Sequence, residues 1–263
     1  MRLLRILLVG QMGNSFLPAR LGDLGRAALL SPRVPGGFLA VVSTIVLEKT
    51  LDGVLGLLVL LGLALWSPLP AWLRTPFLGL ALVTGGPLVI LLLAAGKEPR
   101  CTALAQKLLG RLPASGRTRA RGVLGKLRQG LTLFDQPFAA VVALVLSAVI
   151  WALGALTNVA TLAALHIAVP WWGPWLVLVV GYVINFVPTV PAQLGVFEYA
   201  CVLALTAAGA DPEPALAFGL VLHLLVYGPP AVLGPVSMAI EGFTWTRLRN
   251  IRSEQREDER VCA

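Results

Sequence analysis

"LEKTLDG", residues 47–53, sits between "GGFLAVVSTIV" (36–46) and "VLGLLVLLGLALW" (54–66). Glu48, Lys49 and Asp52 stand in a run that is otherwise almost wholly apolar. What solvent surrounds this run decides the fold. In water, three charges on a helix need no explanation. In a bilayer, each costs about 2.5–3.5 kcal/mol near mid-depth on insertion scales and must face an interior.

Composition selects the bilayer. Of 263 residues, 57% are hydrophobic and only 13% are charged. A soluble domain carries roughly 25% charged residues to cover its surface. The mean hydropathy is +0.82, and the apolar runs approach the roughly 20 residues that cross a membrane. The expected fold class is all-α: a polytopic helical membrane protein of about six transmembrane helices plus two broken or re-entrant hooks. Residues 1–240 are expected to form one membrane domain, with 241–263 as a cytoplasmic tail.

The net charge of +8 reads as topology, not as nucleic-acid binding. Residues 96–136 hold nine Lys/Arg and two acids, which marks a cytoplasmic loop. That loop is either a solvated topogenic segment or a surface lying on anionic headgroups. "HIAVPWWGPW" (166–175) and "GADPEP" (209–214) have no Lys or Arg and read as turns on the other face. Spans are expected at about 37–65, 76–95, 138–165, 174–187, 196–208 and 214–240. The start, residues 3–17, resembles a signal peptide but has a short apolar core and no A-x-A site. It reads as a half-membrane segment or a seventh crossing.

Two hooks resemble each other: "PARLGDLG" (18–25) and "PAQLGVFE" (191–198) share Pro-Ala-x-Leu-Gly in register. Each lies near an asparagine, Asn14 or Asn185. The likeness is either a repeat or a coincidence of an apolar alphabet. Broken helices at membrane depth survive only where they are buried in protein or line a wet cavity. In transporters, paired breaks mark the binding site. Four crossings between the hooks would put both on one face, whereas an inverted repeat needs an odd number.

The buried charges extend this reading. Glu48 and Asp52 share a helical face, and Lys49 reaches Asp52 at i, i+3. Arg20 and Arg26 on the first hook are the nearest positive partners in sequence. Glu198 sits on the second hook, and His223 with Tyr227 lies one turn apart on the last span. Two arrangements fit: a polar cavity ringed by Arg20, Arg26, Glu48, Lys49, Asp52 and Glu198, or a closed salt-bridge lock. Pro18, Gly22, Pro188, Pro191, Gln193 and Gly195 would shape the hooks around either one, with His223 as a ligand or a packing residue. The sequence has no G-x-S-x-G, Walker lysine loop, H-E-x-x-H or paired acidic metal motif. Cys101, Cys201 and Cys262 show no metal spacing. No enzyme activity, metal or cofactor is expected.

Three ordered segments, "NSFLPARLGDLGRA", "LEKTLDG" and "VPTVPAQLGVFEYA", resemble the transmembrane region of lysylphosphatidylglycerol synthase and its stand-alone relatives. The family pattern falls on Asn14, Pro18, Arg20, Gly22, Asp23 and Arg26, then on Glu48, Lys49 and Asp52. It ends on Pro188, Pro191, Ala192, Leu194, Gly195 and Glu198. The chain departs from the pattern with Asp23 for Glu, Lys49 for Arg, Ala192-Gln193 for the usual Gly pair, and His223 for a frequent arginine. The resemblance implies a stand-alone member without the synthase domain, in the bacterial inner membrane. It implies a flippase-like activity that moves an anionic, aminoacylated or polyprenyl-linked lipid between leaflets, with phospholipid as its partner. The alternative is an accessory subunit that scaffolds a membrane glycosyl- or acyltransferase.

Overall fold

The computed structural model describes residues 2–16, 21–34, 37–66, 71–95, 137–185 and 190–241. The basic segment 96–136 and residues 242–263 lie outside it, as do Pro18, Arg20 and Pro188. Among the described residues there are eight α-helices and no strand. They are α1 (Arg2–Phe16), α2 (Leu21–Leu30), α3 (Gly37–Trp66), α4 (Arg74–Ala95), α5 (Pro137–Ala164), α6 (Gly173–Ile184), α7 (Val196–Ala207) and α8 (Pro212–Glu241).

Helix lengths fall into two groups. At ~1.5 Å per residue, α3 and α8, with 30 residues each, reach ~45 Å. With 22 and 28 residues, α4 and α5 also exceed the ~30 Å hydrocarbon layer. By contrast α1, α2, α6 and α7 have 15, 10, 12 and 12 residues, enough for about half a bilayer or a little more.

The long helices face lipid. Phe138–Ala164 has a mean hydropathy of 2.5, yet only 17% of its most apolar window is buried inside the protein. Phe138, Leu144, Ile150 and Leu156 all point outward. Pro212–Ile240 repeats this with a mean hydropathy of 1.8 and 22% of the window buried. The core helix of a soluble protein hides its apolar surface. Here the apolar surface is the outside, so the protein is an all-α membrane protein.

The short helices pair. α1 packs on α2, and α6 packs on α7. Each pair leads into a 30-residue helix: α1–α2 into α3, and α6–α7 into α8. This corrects the expected crossing at 174–187. That segment is the 12-residue α6, the first arm of a hairpin, because the chain breaks at the second hook before it can cross. Among the described residues, three long helices, α3, α4 and α5, then separate the hairpins. That number is odd, as an inverted repeat requires. The aromatic ends agree. Trp66 at the end of α3 meets Trp171 just after α5 edge-on, with centroids 6.0 Å apart. Hence α3 and α5 end on the same face, with α4 running back between them.

Small residues allow the close approaches, as membrane helix pairs require. A Cβ on Gly22 would come within 2.0 Å of the Gly10 carbonyl oxygen, so α1 and α2 cross nearly backbone to backbone. One on Gly234 of α8 would meet the Met12 side chain of α1 at 2.6 Å. The buried core gathers on the second half, around Leu176, Val179, Leu205 and Phe218.

Candidate functional site: two charged pairs flanking a membrane cavity

The first hairpin is locked by its own polar groups. The Asn14 side chain donates to Asp23 Oδ1 at 2.9 Å, and its oxygen accepts the Asp23 backbone N–H at 3.0 Å. This clasp joins the end of α1 to the first turn of α2, where an acidic residue also favours the helix N-terminus. One turn on, Arg26 donates to Glu48 Oε2 at 2.6 Å. The Lys49 ammonium lies 3.4 Å from the other oxygen. Arg26 is 11% exposed, Lys49 26% and Glu48 43%, so the pair opens outward on the carboxylate side.

The second hairpin has a different lock. Its turn, Pro191–Gln193, holds Ala192 at φ 55 and Gln193 at φ 57, and Gly195 follows at φ 81. These lie in the left-handed region that glycine alone enters at little cost. The usual glycine of the family pattern at position 192 thus has a backbone reason. Glu198, in the first turn of α7, accepts the Gly195 N–H at 2.7 Å and so satisfies one of the helix's orphan donors. Its other oxygen lies 2.8 Å from His223 Nδ1 of α8, and the two side chains are 8% and 12% exposed. The imidazole has no aligned hydrogen-bond partner at Nδ1. The contact is therefore an electrostatic pairing more than a linear hydrogen bond, since a well-formed bond needs the N–H to point at the oxygen.

Around this pair the polar groups form a network. Gln193 donates to Asn185 Oδ1 at 3.2 Å, and Asn185 donates to the Gly181 carbonyl at 2.8 Å. The Tyr227 hydroxyl lies 3.1 Å from Gln193 Oε1 and 3.4 Å from Asn185 Oδ1, with one proton to give. The His223 and Tyr227 rings lie 4.6 Å apart at 35°, and Phe197 meets both edge-on.

The two halves meet. α1 touches the turn of the second hairpin and packs along α8. Tyr182 of α6 donates to the Lys49 carbonyl of α3 at 3.3 Å. Beside that contact a cavity of about 300 Å³ opens among α3, α5, α6, α7 and α8, and Asp52, Trp151, Asn158, Tyr182, Asn185 and Phe197 are among its lining residues. Asn158 is fixed by donating to the Pro174 carbonyl at 2.9 Å.

The residues expected to ring one cavity are thus divided. Arg26, Glu48 and Lys49 form one cluster. Glu198, His223, Gln193 and Asn185 form another. Asp52 joins Asn185 on the cavity between them, while Gly22, Pro191 and Gly195 shape the hooks. Tyr182, Trp151 and Asn158 line or secure the cavity and were not singled out from sequence. A lone tyrosine and asparagine in apolar helices would have been the signal. Among the described residues no His/Cys/Asp/Glu cluster could hold a metal ion.

Fold and site together define a membrane-embedded helical protein built on paired hairpins. The model of the family described as "Lysylphosphatidylglycerol synthase TM region" matches residues 1–234. The chain belongs to that family. No curated protein and no solved structure matches it in the corresponding comparisons.

Proposed function

We propose that the protein is a lipid translocase that moves an anionic or aminoacylated phospholipid, or a polyprenyl-linked lipid, between leaflets of a bacterial inner membrane. In this reading the segment 96–136 and the C-terminus face the cytoplasm. One observation supports it: among the described residues, two hairpins of short helices hold charged partners against the interior of the 30-residue helices α3 and α8, Arg26 on Glu48 and Glu198 on His223, near a cavity lined by Asp52 and Asn185. Glu48 lies eleven positions into α3, about 17 Å along a helix of about 45 Å. Charges at that depth are costly unless they serve a path. Arg26 and Lys49 would meet a headgroup phosphate, Glu48 and Asp52 would balance them or meet a cationic headgroup, and the acyl tails would stay in the bilayer. The protein would act without covalent chemistry. Membership in a family named for a lipid-modifying synthase supports a lipid cargo.

The test is leaflet exchange of fluorescent phosphatidylglycerol in liposomes containing the purified chain. Arg26→Gln and Glu48→Gln should each abolish exchange while the protein stays monodisperse. Undiminished exchange in both variants removes the assignment. Absence of exchange in wild type, with a transferase co-purifying, favours the scaffold alternative.

A further inference from the structure

The two charged pairs are built alike and charged oppositely. Glu48 stands eleven positions after the start of α3, and His223 stands eleven after the start of α8. Each pairs with a residue on the second arm of the preceding hairpin, Arg26 or Glu198. In the first half the cation sits on the hairpin and is an arginine, whose charge is permanent. In the second half the cation sits on the long helix and is a histidine, which exchanges its proton in the physiological range. Of the two pairs, only the second contains a histidine.

We infer that Glu198 and His223 form a proton-binding site whose occupancy is linked to the conformation of the second hairpin. Without the added proton, the carboxylate is ionised and the imidazole neutral, so the pair carries −1. A proton from water bonds to the free imidazole nitrogen, and the pair becomes neutral. No other bond forms or breaks. Both side chains are nearly buried, and burial disfavours a net charge.

Linkage to the hairpin follows from Glu198's second contact. The carboxylate that faces the imidazole also holds the Gly195 N–H at 2.7 Å, beside Ala192 and Gln193 in left-handed backbone. A change of charge on the pair is thus felt at the turn. Among the described residues, the other titratable groups on the packed elements are few. Tyr227 stacks on the imidazole. Buried Cys201 and outward-facing Tyr199 share α7 with Glu198, and α6 carries Tyr182. α1 carries Arg2 and Arg5, α8 carries Glu213 and Glu241 at its ends, and α5 carries none. Where the protein moves lipid, this site would drive the movement with a proton gradient. That last step rests on the translocase reading, and the proton site does not.

The experiment uses the full chain in phosphatidylglycerol-containing nanodiscs with ¹⁵N-labelled histidine. The sequence has two histidines, and His166→Asn leaves His223 alone. His166 sits at φ 53, a conformation asparagine accepts. Across about pH 4 to 9, the His223 nitrogen shifts should report uptake of one proton. Hydrogen exchange of residues 190–195, corrected for intrinsic rates, should change in step. In Glu198→Gln, which removes the carboxylate that touches both His223 and the Gly195 N–H, the hook should no longer follow pH. In His223→Arg, the hook should be indifferent to pH. Constant nitrogen shifts, or a hook response that survives in His223→Arg, overturns the proposal. Leaflet exchange separates the two readings. If no exchange occurs while titration and linkage are present, the translocase reading fails and the proton site stands. If exchange occurs but ignores an imposed pH gradient, the coupling step is wrong.

Discussion

Glu48 and His223 occupy the same station on two 30-residue helices and face opposite partners, Arg26 and Glu198. The symmetry is of backbone and the asymmetry is of charge. Removing one partner of a buried pair strands the other and costs about 3–5 kcal/mol. Glu48 is 43% exposed, so its stranding is softened by whatever it faces. Arg26→Gln should therefore cost about 1–3 kcal/mol, read from denaturant unfolding in mixed micelles. The exchanged pair, Arg26→Glu with Glu48→Arg, should recover at least half. Failure of the double variant to recover anything would mean that Arg26 is held by contacts other than Glu48.

The α1–α2 crossing makes a sharper claim about shape. Gly22 has no room for a Cβ, whereas a Cβ on Gly25 would meet nothing within 4 Å. Gly22→Ala should destabilise by about 1–3 kcal/mol through overpacking. Gly25→Ala should be neutral or stabilising by up to about 1 kcal/mol, since alanine is the better helix former. Equal effects of the two in the same unfolding assay would contradict the crossing.

Strain at the second hook gives a prediction of the opposite sign. Ala192 pays for φ 55 with roughly 1–2 kcal/mol against glycine, less the small loss of burying no methyl. Ala192→Gly should raise the unfolding free energy by about 1 kcal/mol, and Gly195→Ala, at φ 81, should lower it by about as much. A destabilised Ala192→Gly would place the hook in another conformation.

Much of this was legible in the sequence, for identifiable reasons. The mid-run charges required an interior, and Glu48 and Lys49 do meet Arg26 and one another within the protein. The ends of α3 and α5 fell within a residue or two of their expected limits. What was not legible depended on length before a break and on meetings between distant residues. A hydropathy reading of 174–187 sees an apolar run and cannot see that the helix stops at Ile184. The shared Pro-Ala-x-Leu-Gly located the hooks but not their depth or direction. Asp52 looked like a partner of the first cluster because it shares a face with Glu48. The packing of α6 on α3 also puts it on the cavity that Asn185 lines. His223 looked like a packing residue until α8 set it against Glu198.

The cavity between the clusters supplies a test that leaves both pairs intact. Val226 lines it and is 46% exposed, and Trp151, which lines it too, is 7% exposed. A bulky group at 226 narrows the ~300 Å³ space without displacing the core, because the native valine is only half enclosed. Val226→Trp should leave the unfolding free energy within about 0.5 kcal/mol, as substitutions outside tightly packed regions do. If lipid passes through this cavity, the same variant should slow leaflet exchange about tenfold or more, an added barrier of about 1.4 kcal/mol. Val232→Trp, outward-facing at 66% exposure on the same helix, should leave exchange unchanged. Equal rates for wild type and Val226→Trp would move the path to another face of the protein.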